Sequence, residues 1–306
     1  MTPILIATAS VAVIGLLIGI MLVNVGDKFA VEVDEKEAAV RECLPGNNCG
    51  GCGYAGCDAL AAAIAGHEAP VNACPVGGDP VAEKIAHIMG VEAGEHRKMV
   101  AYVKCAGDCD ATFKKANYVG IQDCSVAVTN GLIDKSCSFG CLGFGNCVKA
   151  CPFDAIHIEN GIARVDRRTC KACGKCVAAC PKRIIELRAK GPRGMRVFVS
   201  CTNKDKGPVA RKACSAACIG CGLCEKTCTH GAITVADNVA YIDFAKCKLC
   251  RECEAVCPTG AIHGVGFPKP LDKEAVKKRI ADRKARAAEA AKAAVQPEVK
   301  KEESNG

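Results

Sequence analysis

There is no tryptophan in this chain of 306 residues, and aromatic residues make up only 4 % of it, so large rings contribute little to any core it builds. No charged residue interrupts the stretch from Ile4 to Val25, and no basic residue precedes it. Asn24-Val25-Gly26-Asp27-Lys28 is a poor cleavage site, which argues against a removable signal peptide. No G-x-G-x-x-G follows a strand-like run and no nucleophile–base pair stands out. Nothing in the chain reads as a nucleotide, flavin or substrate-converting site.

What the chain does have is 26 cysteines. In a secreted protein such a number suggests disulfides, but here the spacing points to metal. Cys218-Ile-Gly-Cys221-Gly-Leu-Cys224-Glu-Lys-Thr-Cys228 and Cys247-Lys-Leu-Cys250-Arg-Glu-Cys253-Glu-Ala-Val-Cys257-Pro258 both read C-x2-C-x2-C-x3-C. In such a run three thiolates hold one 4Fe–4S cube and the fourth reaches the neighbouring cube. The spacing therefore pairs Cys218, Cys221 and Cys224 with Cys257, and Cys247, Cys250 and Cys253 with Cys228. Zinc is the competing reading of paired C-x2-C motifs, but two such pairs suffice for zinc and the four-fold run would go unexplained.

A second copy lies upstream. Cys147, Cys151, Cys170, Cys173, Cys176 and Cys180 recur as Cys224, Cys228, Cys247, Cys250, Cys253 and Cys257, every member shifted by the same interval without a gap. Within each copy the halves repeat at a shorter constant interval, Cys147 to Cys176 as Cys151 to Cys180. This is a duplicated two-cluster ferredoxin, itself internally duplicated. The first run of the upstream copy is stretched, Cys137-x3-Cys141-x5-Cys147-x3-Cys151. Its expected sets are Cys137, Cys141 and Cys147 with Cys180, and Cys170, Cys173 and Cys176 with Cys151. In the downstream copy Thr229 stands where a proline usually follows the last cysteine.

Nearer the N-terminus, Cys49-x2-Cys52-x4-Cys57-x16-Cys74 is a complete ligand set for one further cube. Its glycines let the backbone close on the sulfurs. At least five 4Fe–4S clusters are thus expected. Cys105, Cys124, Cys201 and Cys214 flank the two copies in parallel places and are candidates for a sixth. Cys43 and Cys109 receive no role, and neither do His67, His87 and His96.

The rest of the chain is read around these motifs. At ~1.5 Å per residue, the run from Ile4 to Val25 reaches ~33 Å as a helix, enough to cross a bilayer core. The expected architecture is α+β, with a single N-terminal transmembrane helix, a small 4Fe–4S domain and tandem two-cluster ferredoxin-like modules. Residues 1–28 form the anchor, 29–90 the first cluster domain and 91–136 a connector. Residues 137–190 form the first module, 191–217 a second connector, 218–267 the second module and 268–306 a charged tail. A short helical stalk is expected over Phe29 to Val40, a helix over Asp58 to Ala65 stopped by Gly66, and another around Val81 to Met89. Short strands are expected at 155–158, 184–187, 232–235 and 261–263. Returning strands are expected at 162–165 and 239–242, after the turn signals Asn160-Gly161 and Asp237-Asn238. The tail, rich in Ala, Lys, Arg and Glu, reads as solvated rather than docked.

The formal net charge is +8 with every cysteine counted neutral. Thiolate-held cubes are anionic, so the field is less positive than that. Nucleic-acid binding is a poor reading. Offsetting the clusters and attracting an acidic electron carrier fit better.

The order of one anchor, a C-x2-C-x4-C-x16-C cubane domain and tandem ferredoxins resembles the Rnf complex B subunit, from the membrane-bound ion-translocating ferredoxin:NAD+ oxidoreductase. The resemblance covers Ile4 to about Phe267 and is to the longer, two-ferredoxin form of clostridial and acetogenic relatives. It implies cluster ligation by Cys49, Cys52, Cys57 and Cys74 and by the two ferredoxin sets. It also implies an electron relay without a substrate site of its own, taking electrons from soluble reduced ferredoxin and passing them to membrane subunits that carry flavin and NAD chemistry. The location implied is the cytoplasmic membrane, single-pass, with the soluble body in the cytoplasm. A non-catalytic iron–sulfur scaffold or sensor, and the electron-transfer arm of another membrane oxidoreductase such as a hydrogenase, are the alternatives.

Overall fold

A computed structural model describes residues 2–28, 34–94, 98–131 and 133–302, with the side chains of 12–25, 34–94, 98–131 and 133–290. Part of the expected stalk (29–33) and His96 lie outside the described residues.

Helix α1 (Thr2–Lys28) covers the apolar run. Its described side chains stand clear of the rest of the chain: Leu16, Met21 and Leu22 are 65 %, 67 % and 66 % exposed. Among the described residues no helix is long and apolar enough to cross a membrane. The described side chains of α1 are only those of 12–25, whereas the apolar run begins at Ile4.

Three short helices then build a small domain: α2 (Glu35–Cys43), α3 (Cys57–Ala65) and α4 (Gly78–Met89). Asp34 caps α2 by accepting from the Lys36 N–H, and Gly66 ends α3. Apolar residues at helical spacing, Leu60 and Ile64 on α3 with Val40 on α2 and Ile85 on α4, are essentially fully buried together. Cys57 and Cys74 lie in the same cluster, so the cysteines form part of this core.

The two modules repeat one plan. In the first, β2 (Ile156–Glu159) and β3 (Ile162–Val165) form an antiparallel hairpin, and in the second β6 (Ile233–Ala236) and β7 (Val239–Ile242) do the same. Asn160 and Gly161 have φ of 46° and 76°, and Asp237 and Asn238 49° and 61°, the positive pair that a two-residue hairpin matched to strand twist requires. The remaining expected strands are β4 (Ile185–Ala189) and β8 (Ile262–Val265). Each pairs with a strand not expected from the sequence. β1 (Met99–Val103) is antiparallel to β4, with Val103 opposite Ile185, and β5 (Arg196–Val199) is antiparallel to β8, with Val199 opposite Ile262. The connectors therefore belong to the modules. The short helices α5 (Cys124–Thr129), α6 (Asn146–Lys149), α7 (Lys175–Ala178), α8 (Gly207–Ala213), α9 (Leu223–Thr227) and α10 (Glu252–Val256) carry or flank the cysteine loops.

The modules pack on each other through β1 and β5, where the Tyr102 and Phe198 rings sit 4.8 Å apart. Arg188, 5 % exposed, lies over the Tyr102 and Tyr241 rings and donates to the Ile242 carbonyl at 2.9 Å. One buried cation thus ties β4 of the first module to β7 of the second.

Helix α11 (Lys273–Glu302) is exposed along most of its described side chains but docks on the second module at one point. Ile280 is 5 % exposed, and Arg283 grips the buried Glu252 of α10 in a two-pronged pair at 2.8 and 3.0 Å, with Arg279 at 3.4 Å. This part of α11 docks because the second module presents a buried carboxylate that, among the described residues, pairs with these two arginines. Removing both arginines leaves Glu252 without these partners, at a cost of about 1–3 kcal/mol. We expect the R279A/R283A variant to keep its iron while limited proteolysis cuts α11 faster.

Candidate iron–sulfur sites

The first set sits where the 49–57 loop meets the helical core. Asn48, with φ 43°, accepts the Cys57 N–H at 2.8 Å and so starts α3 with a ligand at its first residue. The Gly77 N–H points at the Cys74 sulfur at 3.4 Å. Burial pushes the Cys74 thiol up, and the nearby Cys52 and Cys57 thiols add to it. The remaining cysteine, Cys49, raises Cys173 of the first module. A Cβ on Gly51 would lie 2.8 Å from the Cys173 Cα and 2.8 Å from its carbonyl oxygen, so the two domains touch backbone to backbone. We expect Gly51→Leu to leave the iron content unchanged but to part these domains, with severalfold slower single-turnover electron transfer across the contact.

Cys173 lies within electrostatic reach of Cys176, as do Cys151 and Cys170. Burial, then Cys170, Cys173 and Cys151 in turn, raise the Cys176 thiol to about 11. In the second module one cavity is lined by Cys218, Cys221, Cys224 and Cys257, and another by Cys228, Cys247, Cys250 and Cys253. Cys221 and Cys250 are the exposed members.

The first module differs at one position. The cavity that holds Cys141, Cys147 and Cys180 is completed by Cys124 rather than Cys137. Burial and then Cys141, Cys180 and Cys124 raise Cys147 to about 12. The reason is visible in the loops. Asn146 accepts the Cys124 N–H at 2.8 Å and donates to Asp123 at 2.9 Å, fastening the start of α5 beside α6. Cys137 instead lines a different cavity with Cys105, Cys201 and Cys214. The parallel flanking cysteines do meet, then, with Cys137 in the place expected for Cys124. Cys109 is exposed, and Cys43 packs at the edge of the helical core.

The donor sets suit iron–sulfur cubes. Four cavities are each lined by four of these thiols, and backbone N–H groups are aimed at sulfur, as from Ala163 to Cys141 at 3.4 Å and from Ala240 to Cys218 at 3.5 Å. A cube takes its four thiolates on four separate irons, which suits four thiols spread around one cavity.

Comparison with known proteins agrees with this chemistry. Residues 44–76 match the FeS family of Fe–S cluster domains, and residues 132–181 and 217–261 each match a 4Fe–4S dicluster domain family. The chain is 48 % identical over 265 residues to the B subunit of the Na+-translocating ferredoxin:NAD+ oxidoreductase complex of Acetobacterium woodii, covering 86 % of this chain and 79 % of that one. The chain belongs to the family of Rnf complex B subunits. Two further Rnf B subunits are similar along most of their length. That of the proton-translocating ferredoxin:NAD+ oxidoreductase complex of Clostridium ljungdahlii is 41 % identical over 269 residues, covering 87 % of this chain and 94 % of that one. That of the ion-translocating oxidoreductase complex of Methanosarcina acetivorans is 41 % identical over 255 residues, covering 83 % and 96 %.

Proposed function

We propose that this chain is the electron-transfer subunit of a membrane-bound, ion-translocating oxidoreductase, accepting electrons from reduced ferredoxin and relaying them to membrane partner subunits. The observation that carries the reading is the contact order of the cysteine sets. Cys253 and Cys224 share one buried core, which links the two sets of the second module. Cys147 and Cys176 share another, which links the two sets of the first. Cys173 packs backbone to backbone on Gly51, beside Cys49 and Cys52 in the chain, which brings the relay to the N-terminal domain. Bound at these sets, 4Fe–4S clusters supply one-electron carriers over a wide range of potentials. The residues hold them close, exclude water with small aliphatic side chains, and aim backbone N–H groups at sulfur.

The direction follows from the ends. Residues 4–25 act as the single membrane anchor, and the Cys49–Cys74 domain comes soon after it, so that domain delivers electrons to the membrane subunits. The second module is the far end, and its exposed Cys221 and Cys250 bring two sets nearest to a soluble donor. The body faces the cytoplasm, where such clusters are assembled. The residues 29–90, 137–190 and 218–267 are the cluster-bearing units, with the connectors supplying β1 and β5. Deleting residues 1–28 is expected to release a folded, brown, soluble protein in place of a membrane-bound one. A deletion product that stays on membranes unaided shows that the main anchor lies elsewhere.

A further inference from the structure

We propose that Cys105, Cys137, Cys201 and Cys214 hold a sixth 4Fe–4S cluster that joins the two ferredoxin modules into one continuous relay, while Cys124 completes the set of Cys141, Cys147 and Cys180. This rests on the reading that the other cysteine sets hold such clusters.

The four cysteines line one cavity between the modules. Cys214 is 5 % exposed. A Cβ on Gly107 would lie 3.3 Å from the Cys214 sulfur and 3.6 Å from that of Cys105, and one on Gly140 would lie 3.4 Å from Cys105 and 3.6 Å from Cys137. Two glycines thus leave room where sulfurs from both modules face each other. N–H groups point at these sulfurs as at the other sets: Gly107 and Cys141 to Cys105, and Asn203 to Cys201, each at 3.4 Å. The Asn203 side chain, fully buried, is 3.7 Å from the Cys137 sulfur. Lys135, 5 % exposed, also lines the cavity, a buried cation beside what becomes an anionic centre. A buried hydroxyl on the wall, Thr112 Oγ1, has no hydrogen-bond partner among the described residues.

The duplication supplies an independent argument. The shift that carries Cys147 to Cys224 also carries Cys137 to Cys214 and Cys141 to Cys218. Under it, Cys141-Leu-Gly-Phe144-Gly-Asn-Cys147 overlies Cys218-Ile-Gly-Cys221-Gly-Leu-Cys224 without a gap. Phe144 therefore stands where the second module has Cys221, and Cys124 supplies the missing thiol. Cys105 and Cys201 are equivalent too: each follows the strand, β1 or β5, that pairs with the last strand of its module. Lys104 N–H donates to Ile184 O at 2.7 Å and Ser200 N–H to Ala261 O at 2.8 Å, and the same shift carries the first acceptor onto the second. Each module thus contributes one equivalent pair, as expected for a site on the pseudo-two-fold between duplicates. The site also lies in line. The Cys141 N–H meets Cys105, while Cys218 adjoins Cys201. Each transfer across this junction moves one electron and makes or breaks no bond.

The test uses the full-length chain, reconstituted anaerobically, with iron and acid-labile sulfide counted per chain. The parent is expected to hold about twenty-four irons rather than about twenty. C124A, C137A and C214A are each expected to lose about four. The double variants decide the ligand sets: C137A/C214A is expected to lose about four in total, and C124A/C214A about eight. The reverse pattern overturns the assignment of Cys124 and Cys137. About twenty irons in the parent, with C214A and C201A unchanged while C52A loses about four, removes the sixth cluster and leaves the five-cluster reading standing. Little iron in the parent, or zinc in its place, refutes that underlying reading instead. The parent count needs no variant to fold.

Discussion

Reversing the charges of Lys204, Lys206, Arg211 and Lys212 together is expected to slow reduction of the chain by soluble ferredoxin about tenfold or more at low ionic strength, with cluster content intact. Steering of this kind acts on the encounter rate and is screened within about 10 Å at 0.1 M salt, so the gap to the parent is expected to close as salt is raised. These four residues lie on and around α8, before the second module. Lys204 is 58 % exposed and pairs with Asp237 of the second module's hairpin turn at 2.9 Å. Gly207, at the start of α8, packs on Ile219, close in the chain to the exposed Cys221. Arg167, Arg168 and Lys171 form a second basic group, but they precede Cys173, which faces the N-terminal domain. Reversing them is expected to have the smaller effect. Stopped-flow reduction across a salt series checks both variants, and parent rates for both at every salt concentration would contradict ferredoxin steering.

Replacing Cys52 with alanine is expected to remove about four irons and to abolish electron delivery to the membrane subunits, while the clusters of both modules remain reducible by ferredoxin. Cys52 packs against the buried core of the N-terminal domain and raises Cys74, so its loss opens one set without reaching the modules. The Gly51–Cys173 contact is the described junction between that domain and the first module. A C52A complex that still delivers electrons at the parent rate would show that the exit lies at a module.

Much of this was legible in the cysteine spacing. The hairpins β2–β3 and β6–β7 announced themselves through Asn160-Gly161 and Asp237-Asn238, because a two-residue turn with positive φ is a local requirement. β1 and β5 did not. Met99-Val-Ala-Tyr-Val103 is an apolar run without alternation, and its partner β4 lies beyond the whole of the first cysteine repeat, so no local signal separates it from a connector. The exchange of Cys124 and Cys137 was also present in the letters. Reading Cys137 to Cys151 as a stretched cluster loop hid it, whereas overlaying Phe144 on Cys221 in the register of the repeat reveals it. What no spacing shows is the Asn146–Asp123 clasp that brings Cys124 back to Cys141. The docking of α11 was hidden for a similar reason. Arg279 and Arg283 read as solvated charges until the buried Glu252 is found against them.

In the proposed relay, electrons pass through this chain on their way from ferredoxin to the membrane subunits. Rapid mixing of reduced ferredoxin with the intact membrane complex, freeze-quenched and read by the electron paramagnetic resonance of this chain's clusters together with NADH formation, tests it most directly. The relay predicts that the clusters of this chain are reduced first as ferredoxin is oxidised, that NADH follows after a lag, and that C52A abolishes the NADH phase but keeps most of the cluster reduction. NADH formed at the parent rate while the clusters of this chain stay oxidised would contradict it.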